Sequence, residues 1–156
     1  MSFKILVAAF ALLPSLAFAG PLTEREGWVV TPTDKTYEVL IDDLKSAVTS
    51  NGYGVVTQAG PTGAAAQRGI TIPGNQVIGV FNNDVAVRTL ALSTAAMIEA
   101  PIRMYVTENE DGSATLSYKT PTMVFAPYME EGGEDLAAIA QEVEDAFATI
   151  AADAVE

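Results

Sequence analysis

The sequence predicts one α+β domain, an antiparallel sheet of about five strands with two long helices on one face. Two segments, around residues 37–50 and 136–150, repeat apolar residues at helical spacing. The segments before and between them are short β-rich runs bounded by turn residues, and two of these runs flank a tight turn. The resulting order, β-α-β-β-(short α)-β-β-α, contains no repeat and no linker. We therefore expect a single domain.

The first strand is predicted at Trp28-Val29-Val30-Thr31 and should end at Pro32. Thr33 can then cap the first long helix, with Asp34 favourable in the first turn. Asn51-Gly52 should end this helix, with Gly52 as a left-handed cap, and a second strand should follow over residues 53–57. The helix is expected to bury one apolar stripe, formed by Tyr37, Leu40, Ile41, Leu44 and Val48.

The middle of the chain begins with a glycine-rich and proline-rich segment, residues 60–74, which has room for a helical turn at 64–68. A third strand is predicted over residues 76–81. The triplet Asn82-Asn83-Asp84 should stop that strand and cap a short helix over 85–92. Free backbone amides at such a strand end can also bind an anion, but we interpret the triplet as an N-cap.

The clearest local feature is a hairpin after Pro101, with strands over 102–108 and 113–120 and the tip Glu110-Asp111-Gly112. A three-residue loop with glycine last is a favoured hairpin connection. It sets Val106 opposite Leu116, whereas a two-residue loop would mix the two faces. One face then carries Ile102, Met104, Val106, Leu116 and Tyr118, and the other carries Arg103, Tyr105, Thr107, Thr115, Ser117 and Lys119.

The last helix is predicted after a connection over residues 121–133 that ends in two glycines. Acidic Glu134 and Asp135 suit its N-terminus because of the helix dipole. Its buried stripe is formed by Leu136, Ile139, Val143, Phe147 and Ile150. The side chains expected to face water are Glu142, Glu144 and Asp145.

The N-terminus has the three-part pattern of a secretory signal peptide. Lys4 supplies the positive charge, residues 5–13 are apolar, and Ala17-Phe18-Ala19 places small residues at the cleavage site. The apolar run is too short for a membrane span, which needs about 20 residues. We predict a signal peptide over 1–19, cleavage before Gly20, one domain over 20–156, and a soluble periplasmic or secreted protein that does not bind membranes after cleavage.

Composition excludes several chemistries. The 156 residues contain 8 Lys and Arg against 20 Asp and Glu, a net charge of −12, with no Cys and no His. The sequence therefore lacks the residues of a Ser-His-Asp triad, a Cys nucleophile and the usual zinc, copper or haem sites. The acidic charge opposes binding to nucleic acid, which needs clustered Lys and Arg.

The polar face of the hairpin is the candidate ligand site. In the three-residue register Arg103 and Lys119 lie opposite each other, with Tyr105 and Ser117 alongside. Two cations on one patch could receive a carboxylate or another anionic ligand. The alternative is that both pair with acidic side chains elsewhere on the surface or on a dimer partner.

Other clusters give weaker indications. Acidic residues at the hairpin tip, over 108–111, could hold calcium, but the EF-hand spacing is absent and a solvated turn explains them. The carboxylate pairs Asp42-Asp43, Glu130-Glu131 and Glu134-Asp135 are sequence neighbours, and nothing indicates that two converge in a cleft. We therefore predict no metal, no cofactor and no catalytic residues, and lean against an enzyme.

The chain also resembles a bacterial family, domain-of-unknown-function family 302, over about residues 27–152. The matching segments follow one another in order: Asn51-Gly52-Tyr53-Gly54-Val55, Arg68-Gly69-Ile70-Thr71-Ile72, Val77-Ile78-Gly79-Val80-Phe81-Asn82-Asn83, Ala100-Pro101-Ile102-Arg103-Met104-Tyr105-Val106 and Asp111-Gly112. The resemblance implies a TBP-like β-α-β4-α fold and a homodimer. Asn83-Asp84 stands where members usually have Asn-Pro, so a role tied to that proline does not transfer.

The resemblance leaves the function open, because a shared topology carries no activity with it. We expect an exported, non-catalytic domain that binds a small ligand or serves as a stress-related accessory protein. The alternatives are a dimeric protein-interaction module and a hydrolase that works with carboxylates. A cleft with two converging carboxylates would favour the hydrolase, an apolar cavity would favour ligand binding, and a flat surface would favour the interaction module.

Overall fold

The computed structural model describes Gly20 and residues 22–156, so the predicted signal peptide lies outside the described residues. Within them, one antiparallel sheet has the strand order β1-β5-β4-β3-β2. The strands are β1 (Trp28–Thr36), β2 (Gly54–Ala59), β3 (Asn75–Phe81), β4 (Ile102–Glu108) and β5 (Ser113–Lys119). The helices are α1 (Tyr37–Ser50), α2 (Thr62–Gln67), α3 (Asn83–Leu92), α4 (Pro121–Phe125) and α5 (Met129–Val155). The predicted α+β class is confirmed.

Strand β1 does not end at Pro32, as predicted, but continues to Thr36. It lies at the edge of the sheet, where a proline that lacks an N–H is tolerated. Thr33 does not cap the helix either, since its hydroxyl donates to the Ala114 carbonyl at 2.9 Å. A shift of register between Thr33 and Thr36 lets the strand run directly into α1, which begins at Tyr37.

Helix α1 ends where predicted and buries four of the five residues of the predicted stripe, whereas Tyr37 at its start is only partly buried. Gly52 has a φ of 78°, and the Tyr53 amide donates to the Val48 carbonyl at 3.0 Å. This left-handed turn satisfies a terminal carbonyl of the helix. Within the glycine-rich segment, α2 begins at Thr62, somewhat earlier than the predicted helical turn.

The β4–β5 hairpin has the predicted register. Val106 lies opposite Leu116, Met104 lies opposite Tyr118, and Gly112 has a φ of 84° at the end of the loop. The predicted apolar face is fully inside the protein, whereas the opposite face meets solvent along β4.

The predicted connection over residues 121–133 is largely helical. It forms α4, a 3-10 turn (Ala126–Tyr128), and the first turn of α5, which is interrupted at Gly133 with φ 56° and ψ −145°. Pro121 at the first turn suits a helix start. Glu144 does not simply face water, because it accepts hydrogen bonds from the Thr122 amide, at 3.1 Å, and from the Thr122 hydroxyl.

The core lies between one sheet face and the two long helices. Lys35 links the middle of α1 to the C-terminal end of α5, since its Nζ lies 2.7 Å from Asp43 and 2.9 Å from the Ala154 carbonyl. A cation at a helix C-terminus complements the helix dipole. Among the helices of the described residues, none is long and apolar enough to cross a membrane.

A substitution at Phe147 of α5 tests the packing of this helix against the sheet. Its ring contacts those of Tyr53 and Tyr118 edge-on, with centroids 6.4 and 5.6 Å away. Phe147→Ala should lower the free energy of unfolding by about 3–5 kcal/mol, because it leaves a cavity in a closed core. Glu142→Ala is the control on the same helix. Its pair with Arg88 is about half exposed, so the loss should stay below about 1 kcal/mol. Denaturant melts measure both, and equal losses would contradict this orientation of α5.

Candidate functional site

The two long helices cover only one face of the sheet, and the candidate site lies on the other. Along each strand successive side chains alternate between the two faces. On the uncovered face, Trp28 of β1 lies beside Lys119 of β5, and Tyr105 of β4 lies beside Ser117. Extending the hairpin register by one pair places Arg103 beside Lys119. Trp28, Lys119 and Arg103 therefore form one row across three strands, about 10 Å wide.

A groove of about 350 Å³ opens at this row. This volume is at the lower end of the range of ligand pockets, about 300–1,000 Å³. Its lining is mainly aromatic and apolar, with one amide, two cations and one carboxylate: Trp28, Tyr105, Tyr118, Val77, Ile102, Val124, Asn75, Arg103, Lys119 and Glu99. Ile102 and Tyr118 belong to the core face and border the groove where β4 begins and β5 ends. The combination of apolar walls and a few convergent polar groups is typical of small-molecule sites.

Three of the four predicted site residues, Arg103, Tyr105 and Lys119, line this groove. The fourth, Ser117, has no exposed surface, and its hydroxyl donates to the Tyr105 carbonyl at 3.4 Å. Ser117 thus belongs to the sheet surface beneath the larger side chains and offers a ligand no atom to contact.

The cations of this face gather around Trp28. Lys119 Nζ lies 5.6 Å and Arg25 Cζ lies 5.3 Å from the centroid of the indole ring. Both distances are within the range of cation–π attraction. Neither Arg103 nor Lys119 forms an ion pair with a carboxylate of the described residues. The predicted alternative, in which Arg103 and Lys119 pair with acidic side chains of the same chain, is not observed among the described residues.

Tyr105 is held by Asn75, whose Nδ2 donates to the phenol oxygen at 2.6 Å. Glu99 reaches the groove from the 3-10 turn (Ala96–Glu99), and its Oε1 accepts a hydrogen bond from the Tyr128 hydroxyl at 2.7 Å. Trp28, Asn75 and Glu99 were not among the predicted site residues. Trp28, the only tryptophan, stood in a predicted strand, but the sequence does not indicate that this strand lies beside Lys119.

The other sequence candidates have local explanations in the structure. At the hairpin tip, Asp111 Oδ1 accepts hydrogen bonds from the amide and hydroxyl of Ser113, at 3.0 and 2.6 Å, which lower the pKa of Asp111. Asn82 caps α3, because its Oδ1 accepts from the Asp84 and Val85 amides at 3.0 and 3.1 Å. Because both amides donate to Asn82, they are not free to bind an anion.

Carboxylates do not converge in the groove. Glu99 is the one carboxylate of the described lining, whereas general acid–base hydrolysis of the glycosidase type needs two. Across the described residues, no three Asp or Glu side chains come together to hold a metal ion. A second, apolar cavity between α3, α5 and the sheet has a volume of only about 30 Å³, too small for an organic ligand.

The comparisons with known proteins agree with this architecture. The family model described as "Domain of unknown function DUF302" matches residues 29–154. This chain belongs to the DUF302 family. The match confirms the resemblance that the sequence motifs indicated.

A solved relative has the same fold. It is described as an uncharacterized conserved DUF302 protein from Bacillus stearothermophilus, and it superposes with a TM-score of 0.72 at 20% identity. The alignment covers 83% of this chain and 98% of the relative. At this identity the likeness concerns the DUF302 fold. No curated protein matches this chain.

The burial of the Tyr118 phenol, at the end of the groove, can be tested through the dependence of protein stability on pH. Burial raises the pKa of its phenol, and the Glu144 carboxylate raises it further. The unfolded chain, with a tyrosine pKa of about 10, then loses this proton before the folded protein does. Stability should be complete below about pH 10 and fall as the pH rises from there through the folded-state pKa. Tyr118→Phe should reduce this fall in denaturant melts at alkaline pH, while the raised pKa values of Tyr37, Tyr53 and Tyr128 keep part of it. An unchanged pH dependence would contradict the burial of the Tyr118 phenol.

Proposed function

We propose that this DUF302 protein is an exported, non-catalytic binding module that holds a small organic carboxylate in the groove on the uncovered face of its sheet. One observation carries the proposal: Arg103 and Lys119 stand side by side in an aromatic groove without a carboxylate partner among the described residues. Arg25 and Arg68 also form no ion pair among the described residues, so the distinguishing feature of Arg103 and Lys119 is that they are neighbours in one groove. Arginine in particular can bind a carboxylate through two parallel hydrogen bonds.

The net charge of −12 opposes this ligand at long range. Physiological salt screens interactions between exposed charges beyond about 8 Å, so the distant acids contribute little at the groove. The groove lining itself carries two cations, Arg103 and Lys119, against one carboxylate, Glu99, so its own charge favours an anion. Charge-assisted hydrogen bonds are about twice as strong as neutral ones, which favours binding at contact.

The aromatic lining favours a ligand with an apolar part. Trp28 and Tyr105 are half-buried and present ring surface beside the two cations. The hydrogen bond from Asn75 keeps the Tyr105 ring in place before a ligand arrives, which reduces the entropy lost on binding. An arylalkyl carboxylate such as 3-phenylpropionate combines both features and is a suitable probe.

The alternative function is a homodimeric interaction module that uses the same uncovered face. Its half-buried Trp28, Val30 and Val77 favour this alternative, because they lie on the sheet face that the two long helices leave uncovered. A two-fold interface centred there would bring Arg103 and Lys119 close to their own copies, which is unfavourable. Native mass spectrometry separates the two functions, because it reports the oligomer and any retained ligand together.

The binding proposal predicts that 3-phenylpropionate shifts the NMR amide signals of residues 103–105 and 117–119. Arg103→Ala and Lys119→Ala should each weaken binding about tenfold or more, since a hydrogen bond to a charged group contributes about 1.5–3 kcal/mol. The matched control is Arg68→Ala, which removes the same charge outside the groove, at the end of α2. The absence of shifts at millimolar ligand, or an equal loss in the control, would refute the proposal.

Export predicts a defined N-terminus. The motif Ala17-Phe18-Ala19 places the cleavage site before Gly20. N-terminal sequencing of the protein recovered from the periplasm or medium should therefore begin at Gly20. Recovery of the chain with Met1 retained would contradict both cleavage and export.

A further inference from the structure

We infer that the groove is built for a zwitterion, a small apolar amino acid or a similar molecule that carries one carboxylate and one ammonium group. This inference rests on the proposed function and specifies its ligand class. It comes from the one groove-lining charge that the carboxylate proposal leaves unused, Glu99.

Glu99 is held in position for contact with a ligand. It ends the 3-10 turn that precedes β4, and it is partly buried at the groove. The Tyr128 hydroxyl donates to its Oε1 at 2.7 Å, which limits the rotation of the carboxylate. No donor of the described residues is bonded to its other oxygen, Oε2. That oxygen is available to a donor on the ligand.

Glu99 and the two cations share one groove without pairing with one another. Arg103 follows Glu99 by only four positions, yet neither it nor Lys119 forms an ion pair with Glu99. Pro101 lies between Glu99 and β4, and no nitrogen of Arg103 or Lys119 lies within 4.0 Å of a Glu99 oxygen, so the opposite charges are apart in this structure. Groups of opposite sign held apart in one groove are complementary to a ligand whose two charges have the reverse arrangement.

The same arrangement discriminates against ligands that carry only one of these charges. Glu99 repels a simple carboxylate, and Arg103 and Lys119 repel a simple amine. A zwitterion turns both repulsions into attractions, and specificity commonly arises from such unfavourable placements of like charge. The Trp28 and Tyr105 rings then contact the apolar side chain of the ligand.

Three matched ligands test this inference in NMR titrations of the purified protein. L-Phenylalanine carries both charges, 3-phenylpropionate lacks the ammonium group, and 2-phenylethylamine lacks the carboxylate. Phenylalanine should bind at least about tenfold more tightly than either, because only this ligand adds a second charge-assisted contact.

Glu99→Gln is the decisive variant, because glutamine keeps an oxygen that can accept from Tyr128 while it removes the charge. It should abolish most of the preference for phenylalanine and leave the binding of 3-phenylpropionate unchanged or tighter. Glu110→Gln at the exposed hairpin tip is the control and should alter neither affinity. Retained amide-signal dispersion shows that each variant is folded.

The outcomes separate this inference from the proposed function. If 3-phenylpropionate binds as tightly as phenylalanine and Glu99→Gln changes neither affinity, the zwitterion inference is wrong and the carboxylate site stands. If none of the three ligands shifts the groove amides, both proposals fail. If 2-phenylethylamine binds best, the carboxylate site is wrong and the groove selects cations.

Discussion

The register of the β4–β5 hairpin is the constraint on which the rest of the structure depends. Its three-residue loop sets Val106 opposite Leu116 and Met104 opposite Tyr118, so the apolar side chains of both hairpin strands share one face. A slip of one residue would turn one hairpin strand over relative to the other, so that either Arg103 or Lys119 would point toward the helices and the apolar residues of that strand toward water. Burial of an unpaired charge is unfavourable, whereas burial of an apolar side chain is favourable. The same alternation therefore defines both the core and the site.

The groove exists because the helices cover only one side of this sheet. Helices α1 and α5 each have one apolar stripe, which packs against the sheet face that carries Met104 and Leu116. An antiparallel sheet can leave its other face to solvent. On that second face the row from Trp28 to Arg103 contributes rings and cations, whereas Ser117 beneath it is too small to fill the space. The result is a concave polar and aromatic surface on a rigid sheet, which positions functional side chains well.

Local patterns predicted most of the elements, and their failures have a common cause. The apolar stripes of both long helices, the cap at Asn82 and the hairpin were predicted correctly because each depends on residues close in the chain. Strand β1 was predicted too short because Pro32 was treated as a break, although an edge strand tolerates it. The helical character of residues 121–128 was missed, since Thr120 and Pro121 were not recognised as a helix start.

By itself the sequence determined that Cys and His are missing, that the hairpin side chains alternate, and that Arg103, Tyr105 and Lys119 share one polar surface. These follow from composition and from the period of two along a strand, which are local properties. Only the tertiary structure decided that β1 lies beside β5, that Trp28 stands next to Lys119, and that Glu99 reaches the same groove. Those neighbours come from segments distant in the chain, and their contact depends on how the whole sheet and its helices pack. The alternation of residues along a strand predicts toward which face a side chain points, whereas tertiary packing determines which residues it contacts.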